Sequence, residues 1–142
     1  MATRIGLVLD ANDTARLSRF WATALGYQEK PVPEGWDSWA AYDEAHGIAP
    51  EDAGVALLDP DGNGPSLWIQ PVPEPKTAKN RLHMDLKVGG PAEVGADERW
   101  RRLEAEAERL VAAGATLLRR VNDPDDAFIV LADPEGNELC VV

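Results

Sequence analysis

The segment DPEGNELCVV at the end of the chain (residues 133–142) has a close counterpart in DPDGN and SLWIQ (residues 59–63 and 66–70). In each copy an Asp-Pro-x-Gly-Asn run comes just before a short apolar segment. Proline and glycine supply the backbone angles that a tight turn requires. A motif that occurs twice in 142 residues indicates an internal duplication.

The regions before these turns repeat as well. RIGLVL (residues 4–9) matches RLHMDL (residues 81–86), and each is followed by a helical pattern that ends in ALG or AAG. The first pattern has Asp13 as an N-cap, Gly26 as a C-cap, and apolar residues at helical spacing. These apolar residues are Leu17, Phe20, Trp21, Ala24 and Leu25. The second pattern has Asp97 as its expected N-cap and the apolar stripe Trp100, Leu103, Ala107, Leu110 and Val111.

Short segments of β-type composition follow each helix. In the first half they are YQEKPV, SWAAYD, GVALLD and SLWIQPV, and in the second half ATLLRRV, AFIVLAD and ELCVV. Each half is therefore predicted to be a βαβββ module, the first over residues 1–72 and the second over residues 81–142. PVPEPKTAKN (residues 71–80) is the connector. We expect one domain over residues 1–142, because a module of this size would leave one sheet face bare.

The charge composition of the chain disfavours some classes of binding partner. The chain has 25 acidic and 14 basic residues and a formal net charge of -11, which disfavours binding to nucleic acid and to anionic membranes. No apolar run is long enough for a membrane span and no signal peptide is visible. The single cysteine, Cys140, excludes an internal disulfide, so we expect a reducing, cytoplasmic location.

Four segments carry a family resemblance: RFWATALGY, PEPKTAKNRLHMDL, GATLLRRV and LADPEGNELCVV. With them the chain resembles the glyoxalase/bleomycin resistance/extradiol dioxygenase family, the vicinal oxygen chelate superfamily. The resemblance implies an α+β fold in which two tandem βαβββ modules form a curved mixed sheet around a ligand cavity, with the helices outside. It also implies a monomer or a homodimer. It does not decide the activity, because the family includes metal-dependent isomerases, lyases and dioxygenases as well as metal-free drug-binding proteins.

Strand alternation predicts which side chains share a face. Leu82, Met84 and Leu86 are expected to pack under a helix, as are Leu139 and Val141. The opposite face, which the resemblance implies is the cavity face, then carries Gly6, Val8, Asp10, Ser66, Trp68, Gln70, Arg81, His83, Asp85, Lys87, Glu138, Cys140 and Val142. From this set the predicted ligand-contacting residues are Val8, Asp10, Trp68, Gln70, Asp85 and Cys140.

The resemblance implies a metal site with one ligand from each of four strands, here Gly6, Ser66, His83 and Glu138. Only His83 and Glu138 are typical ligands, and a catalytic divalent ion usually has three protein ligands. Three interpretations of this pair remain open. The two residues form a hydrogen-bonded polar pair, act as general acid and base, or bind Ni, Zn, Mn or Fe with Gln70 or Asp85 as a further ligand.

Two functional hypotheses follow. The first is a small-molecule-binding protein without a cofactor, whose apolar cavity has acidic anchors that suit a cationic or amine-bearing ligand. The second is a metal-dependent enzyme of the lyase, isomerase or dioxygenase type that uses His83 and Glu138. Residues 29–52 fit the family pattern least well, and the role of residues 31–52 stays open. Trp36 and Trp39 are expected to be either a lid over the cavity or ordinary core. Cys140 is expected to be a small buried hydrophobic residue, since a neighbouring carboxylate disfavours the thiolate.

Overall fold

The computed structural model describes residues 1–123 and 125–142. Within these residues the predicted α+β fold is confirmed, with two four-stranded mixed sheets and three α-helices. The chain divides into two compact units, Met1–Pro75 and Lys76–Val142, and the division falls inside the predicted connector. None of the described helices has the length and apolar character to cross a membrane.

The first unit is a βαβββ module with an extra helix before its third strand. Its elements are β1 (Gly6–Ala11), α1 (Thr14–Leu25), β2 (Gln28–Glu29), α2 (Trp39–Ala45), a 3-10 helix (Pro50–Asp52), β3 (Val55–Leu58) and β4 (Ser66–Pro71). The strand order is β1-β4-β3-β2. β1 and β4 are parallel, and the other pairs are antiparallel.

The second unit repeats this arrangement. Its elements are β5 (Met84–Leu86), α3 (Ala96–Ala112), β6 (Thr116–Val121), β7 (Phe128–Ala132) and β8 (Glu138–Val141). The order β5-β8-β7-β6, with β5 and β8 parallel, corresponds strand for strand to the first sheet. The duplication predicted from the repeated turn motif is therefore present in the topology.

Each long helix buries one face against the sheet of its own unit. Leu17, Phe20 and Trp21 of α1 are fully buried, and α1 contacts β3 and β4. As predicted, the Asp13 side chain caps α1 by accepting a hydrogen bond of 2.9 Å from the Arg16 amide. In α3 the buried residues are Leu103, Ala107 and Leu110.

Two details of α3 differ from the prediction. The helix begins at Ala96 with Gly95 as its N-cap, so Asp97 lies in the first turn instead of capping it. There its carboxylate still suits the partial positive charge of the helix N-terminus. Val111, placed in the apolar stripe, is 44% exposed, whereas its neighbour Leu110 is fully buried, so Val111 lies outside the buried face.

The prediction of β structure for SWAAYD was wrong, because Trp39–Ala45 form helix α2. The Ser38 side chain caps this helix by accepting a hydrogen bond of 3.1 Å from the Ala41 amide. Trp39 and Tyr42, three positions apart, meet edge to face at 5.5 Å. Tyr42 and His46, four positions apart, stack at 3.9 Å. Helical spacing thus lets the aromatic rings contact each other, which alternating strand positions would not.

Both Asp-Pro-x-Gly-Asn segments form turns held by the first aspartate. Asp59 accepts hydrogen bonds from the amides of Asp61, Asn63 and Gly64 at 2.7 to 2.9 Å. Asp133 accepts from the amides of Glu135 and Asn137 and from the Asn137 side chain at 2.9 to 3.0 Å. The glycine of each turn has positive φ, 71° at Gly62 and 88° at Gly136, as the turn motif predicts.

Candidate functional site

The side chains of β5 and β8 alternate as predicted. Leu139 and Val141 are fully buried on one face of β8, while Glu138 and Cys140 point to the other. Asp85 of β5 is aligned with Cys140 and lies on the same side. This face forms one wall of an open cavity of about 590 Å³. The lining residues are Lys79, His83, Asp85, Leu118, Arg119, Asp126, Phe128, Val130, Glu138, Cys140 and Val142.

Three of these residues bring donor atoms close together. One atom each of His83, Asp85 and Cys140 lies within 4.8 Å of the other two, and His83 Nε2 is 3.3 Å from Asp85 Oδ1. β5 begins at Met84, so His83 lies just before the strand. Leu82 was expected to pack under a helix, but it is 73% exposed. The cluster offers a nitrogen, an oxygen and a sulfur ligand, or a set of hydrogen-bond donors and acceptors for a small molecule.

Cys140 is held as the neutral thiol. Burial raises its pKa, and the negative charges of Asp85 and Glu138 raise it further. Because the thiolate is the nucleophilic form, this environment suppresses nucleophilic reactivity near neutral pH.

The partner of Glu138 differs from the one in the first of the three interpretations, the hydrogen-bonded pair with His83. Its carboxylate forms an ion pair and hydrogen bond with Lys79, and its backbone amide donates to Asn80 Oδ1 at 3.1 Å. The hydrogen bond from Lys79 holds the pKa of Glu138 below its usual range. Among the described residues no hydrogen bond joins Glu138 to His83. The pairs present are Glu138 with Lys79 and His83 with Asp85.

Several lining residues were not predicted from the sequence. The Arg119 guanidinium lies over the Phe128 ring at 5.6 Å, and Leu118, Val130 and Asp126 complete the cavity wall. β7 carries apolar residues on both faces, so no alternation of polar and apolar residues indicates which face lines the cavity. Its cavity face could have been found only from its pairing with β8, where Val130 is aligned with Cys140.

The predicted ligand-contacting residues of the first unit share one face of its sheet. Val8 is aligned with Trp68 and Asp10 with Gln70 on the parallel strands β1 and β4. All four are exposed, whereas the intervening Leu67 and Ile69 of β4 are buried. Trp68 also lines a cavity of about 310 Å³ beside α2. The participation of these four residues in ligand binding stays a prediction.

The sequence profile of the glyoxalase-like domain matches residues 6–142, which include nearly all of both units. The chain belongs to the glyoxalase-like domain family. A search of curated proteins finds no match.

Solved structures of glyoxalase-like relatives share the fold at low sequence identity. The fosfomycin resistance protein FosX from Listeria monocytogenes is 10% identical with a TM-score of 0.65, covering 99% of this chain and 92% of that one. A possible glyoxalase from Bacillus cereus is 14% identical with a TM-score of 0.61, covering 100% and 99%. A glyoxalase/bleomycin resistance protein/dioxygenase family enzyme from Burkholderia phytofirmans is 16% identical with a TM-score of 0.60, covering 95% and 93%.

The four positions implied for a metal in this glyoxalase-like domain differ in the side chains that they offer. In the first unit they are Gly6 and Ser66, which are aligned on β1 and β4. A Cβ atom added to Gly6 would lie 3.1 Å from Ser66 Oγ, so the two residues fill this position with no ligating side chain beyond a hydroxyl. In the second unit they are His83 and Glu138, and the Glu138 carboxylate is paired with Lys79.

Proposed function

We propose that this protein is a cytoplasmic small-molecule-binding member of the glyoxalase-like family. The observation that carries the proposal is the 590 Å³ cavity on the second unit, whose walls combine apolar side chains with a few polar groups. This size and composition are typical of small-molecule sites. The ligand lies against Phe128 and Val130, with His83 and Asp85 at its polar end.

The charges around the cavity indicate what the ligand carries. Lys79 neutralises Glu138, and Arg119 is directed at the Phe128 ring. Asp85 and His83 are about half exposed, so their polar atoms are accessible to a ligand. We infer a ligand with an apolar body and an amine or hydroxyl group that donates a hydrogen bond to Asp85, since a carboxylate accepts but does not donate.

Ligand-detected NMR against a library of amine- and hydroxyl-bearing fragments tests this proposal. Hits should lose affinity in the His83→Ala variant and keep it in His46→Ala, the matched change at the other histidine of the chain. Val130→Arg, which places a long side chain in the cavity, should abolish binding. Hits that bind the Val130→Arg variant as tightly as the parent would place the site elsewhere and refute the proposal.

A second candidate function is metal-dependent catalysis, and the His83–Asp85–Cys140 cluster favours it. A variant of the Listeria FosX was solved with Mn(II) and a dihydroxypropylphosphonic acid, so a relative of this fold binds a divalent ion. Here the ligands would be His83, Asp85 and Cys140, in place of the expected His83 and Glu138. A divalent ion supplies Lewis-acid activation of a substrate oxygen when bound, and the cluster would orient it at the cavity floor.

Titration with Co(II) distinguishes this candidate, because a thiolate ligand gives a near-ultraviolet charge-transfer band. Under the metal hypothesis the band appears in the parent and in Glu138→Gln, and is lost in Cys140→Ala and in His83→Ala. Absence of the band in the parent at millimolar Co(II) would rule out a site that includes Cys140.

A further inference from the structure

The cavity beside α2 in the first unit is separate from the site proposed above. It has a volume of about 310 Å³. Its lining residues are Glu29, Lys30, Trp39, Tyr42, Asp43, Ile48, Asp52, Ala53, Gly54, Val55, Ala56 and Trp68. Three aromatic rings and three carboxylates therefore surround a space large enough for a small organic molecule.

The aromatic walls are fixed by packing and hydrogen bonding. The Trp39 indole donates a hydrogen bond of 2.9 Å to the Lys30 carbonyl, and its ring meets Tyr42 edge to face. The Tyr42 ring also stacks on the His46 ring. These contacts hold the rings in place without a ligand, so little side-chain entropy is lost on binding.

Trp68 forms the wall contributed by the sheet. Its six-membered ring lies over Gly54, where an added Cβ would come within 2.7 Å of Trp68 Cε2. The absence of a side chain at Gly54 thus lets the indole lie flat beside the cavity. Trp68 remains 39% exposed, which is unusual for so large an apolar ring and leaves part of it available for contact.

Acidic side chains outnumber basic ones on the lining of this cavity. Within the described parts of the chain, the carboxylates of Glu29, Asp43 and Asp52 form no ion pair, and Lys30 is the one basic residue on the lining. Unpaired carboxylates next to aromatic rings attract a positive charge, and ring faces add a cation–π contribution. Phosphates and carboxylate ligands are repelled.

We propose that this cavity binds an organic cation, an ammonium group carrying methyl or other apolar substituents. Apolar substituents are required because a bare metal ion would keep its water shell and would leave the three rings without contact. A neighbouring cavity of about 730 Å³ shares Trp39, Asp43 and Gly54 with the first and adds Glu44. It gives room for a longer substituent on the cation. This inference does not depend on the ligand of the second unit.

Titration of the full chain with choline, followed by the indole N–H signals in NMR spectra, tests the proposal. The signals of Trp39 and Trp68 should shift in a saturable way, while those of Trp21 and Trp100 stay unchanged. The uncharged isostere 3,3-dimethylbutan-1-ol should bind at least about fivefold more weakly, since it keeps the shape of choline and loses the cation–π term.

Variants test the contributions of the aromatic rings and of the carboxylates to choline binding separately. Trp68→Leu should weaken choline binding about fivefold or more, whereas Trp100→Leu, in the other unit, should not change it. Asp43→Asn should weaken it about two- to threefold, and Glu51→Gln, an equal change of charge outside both cavities, should not. Equal affinity for the alcohol, or unchanged choline affinity in Trp68→Leu, would overturn the proposal. Neither result would affect fragment binding that depends on His83.

Discussion

Asp85 and Cys140 are aligned across the parallel strands β5 and β8, and the carboxylate and the thiol share the floor of one cavity. The arrangement places a negative charge beside a buried sulfur, and the pKa of Cys140 is raised by burial first and by Asp85 second. The fold thus keeps its single cysteine protonated at a position that a ligand can reach.

Removing the Asp85 charge should make Cys140 more reactive. In Asp85→Asn the pKa of the thiol should fall, although burial still keeps it above the ordinary value. Alkylation by iodoacetamide near neutral pH should become severalfold faster, and the whole pH–rate profile should move to lower pH. Glu108→Gln, an exposed change of equal charge on α3, is the control and should react like the parent. An unchanged profile in Asp85→Asn would contradict this electrostatic account.

The Lys79–Glu138 pair should make stability depend on pH. Because the folded pKa of Glu138 is lowered, the pair stabilises the fold above the ordinary carboxyl pKa and loses this effect as the pH falls through the folded value. Lys79→Met should therefore lower Tm near pH 7, and its difference from the parent should shrink as the pH falls below the ordinary carboxyl pKa. Thermal unfolding followed by circular dichroism measures both. Lys87→Met controls for the loss of one surface cation, and a Tm difference independent of pH would contradict the prediction.

The two turn aspartates should differ in their contribution to stability. Asp133 is only 2% exposed and its three hydrogen bonds are shielded from water, whereas the matching Asp59 is more exposed. Asp133→Ala should cost about 3 kcal/mol, because buried donors lose a charged acceptor. Asp59→Ala should cost less, since water replaces the carboxylate. Urea unfolding of both variants tests the order, and equal losses would show that burial does not matter here.

Gly54 should tolerate no side chain while Trp68 is present. In Gly54→Ala the new methyl group would overlap the indole and lie 2.8 Å from the Ile69 carbonyl oxygen, and we expect a loss of about 2 kcal/mol. The loss should be smaller in a Trp68→Leu background, because only the contact with the backbone remains. A double-mutant cycle by urea unfolding measures this coupling. Additive losses would mean that the ring is not the obstacle.

Much of the fold could be predicted because the chain repeats itself. One turn motif occurs twice, each time after a helix that ends near a glycine. The two copies define two modules, and the family resemblance follows from these modules. The prediction failed for SWAAYD. This segment has no counterpart in the second half of the chain, and it is too short for its pattern of apolar residues to distinguish a helix from a strand. Its state depends on a Ser38 cap and on aromatic contacts that form only once it is helical.

The side chains that line the cavity were predicted where alternation separates polar from apolar residues, and missed where it does not. Asp85, Glu138 and Cys140 line the cavity as the alternation of β5 and β8 indicates. Lys79 lies in the proline-rich connector, where no periodicity places a side chain, and its partner 59 residues away is set by tertiary structure alone. For the same reason the pairing of Glu138 with Lys79 and of His83 with Asp85 was not predicted.

The tight fit between Gly6 and Ser66 also restricts how this sequence can change over generations. A histidine introduced at Gly6 alone would crowd the Ser66 hydroxyl, whose oxygen lies 3.1 Å from the new Cβ position. Because this oxygen belongs to a side chain, a shift of a few tenths of an ångström at Ser66 would relieve the contact. Gaining a ligand on β1 therefore carries a local packing cost at Ser66, while the topology that the two halves of the duplication share is unaffected.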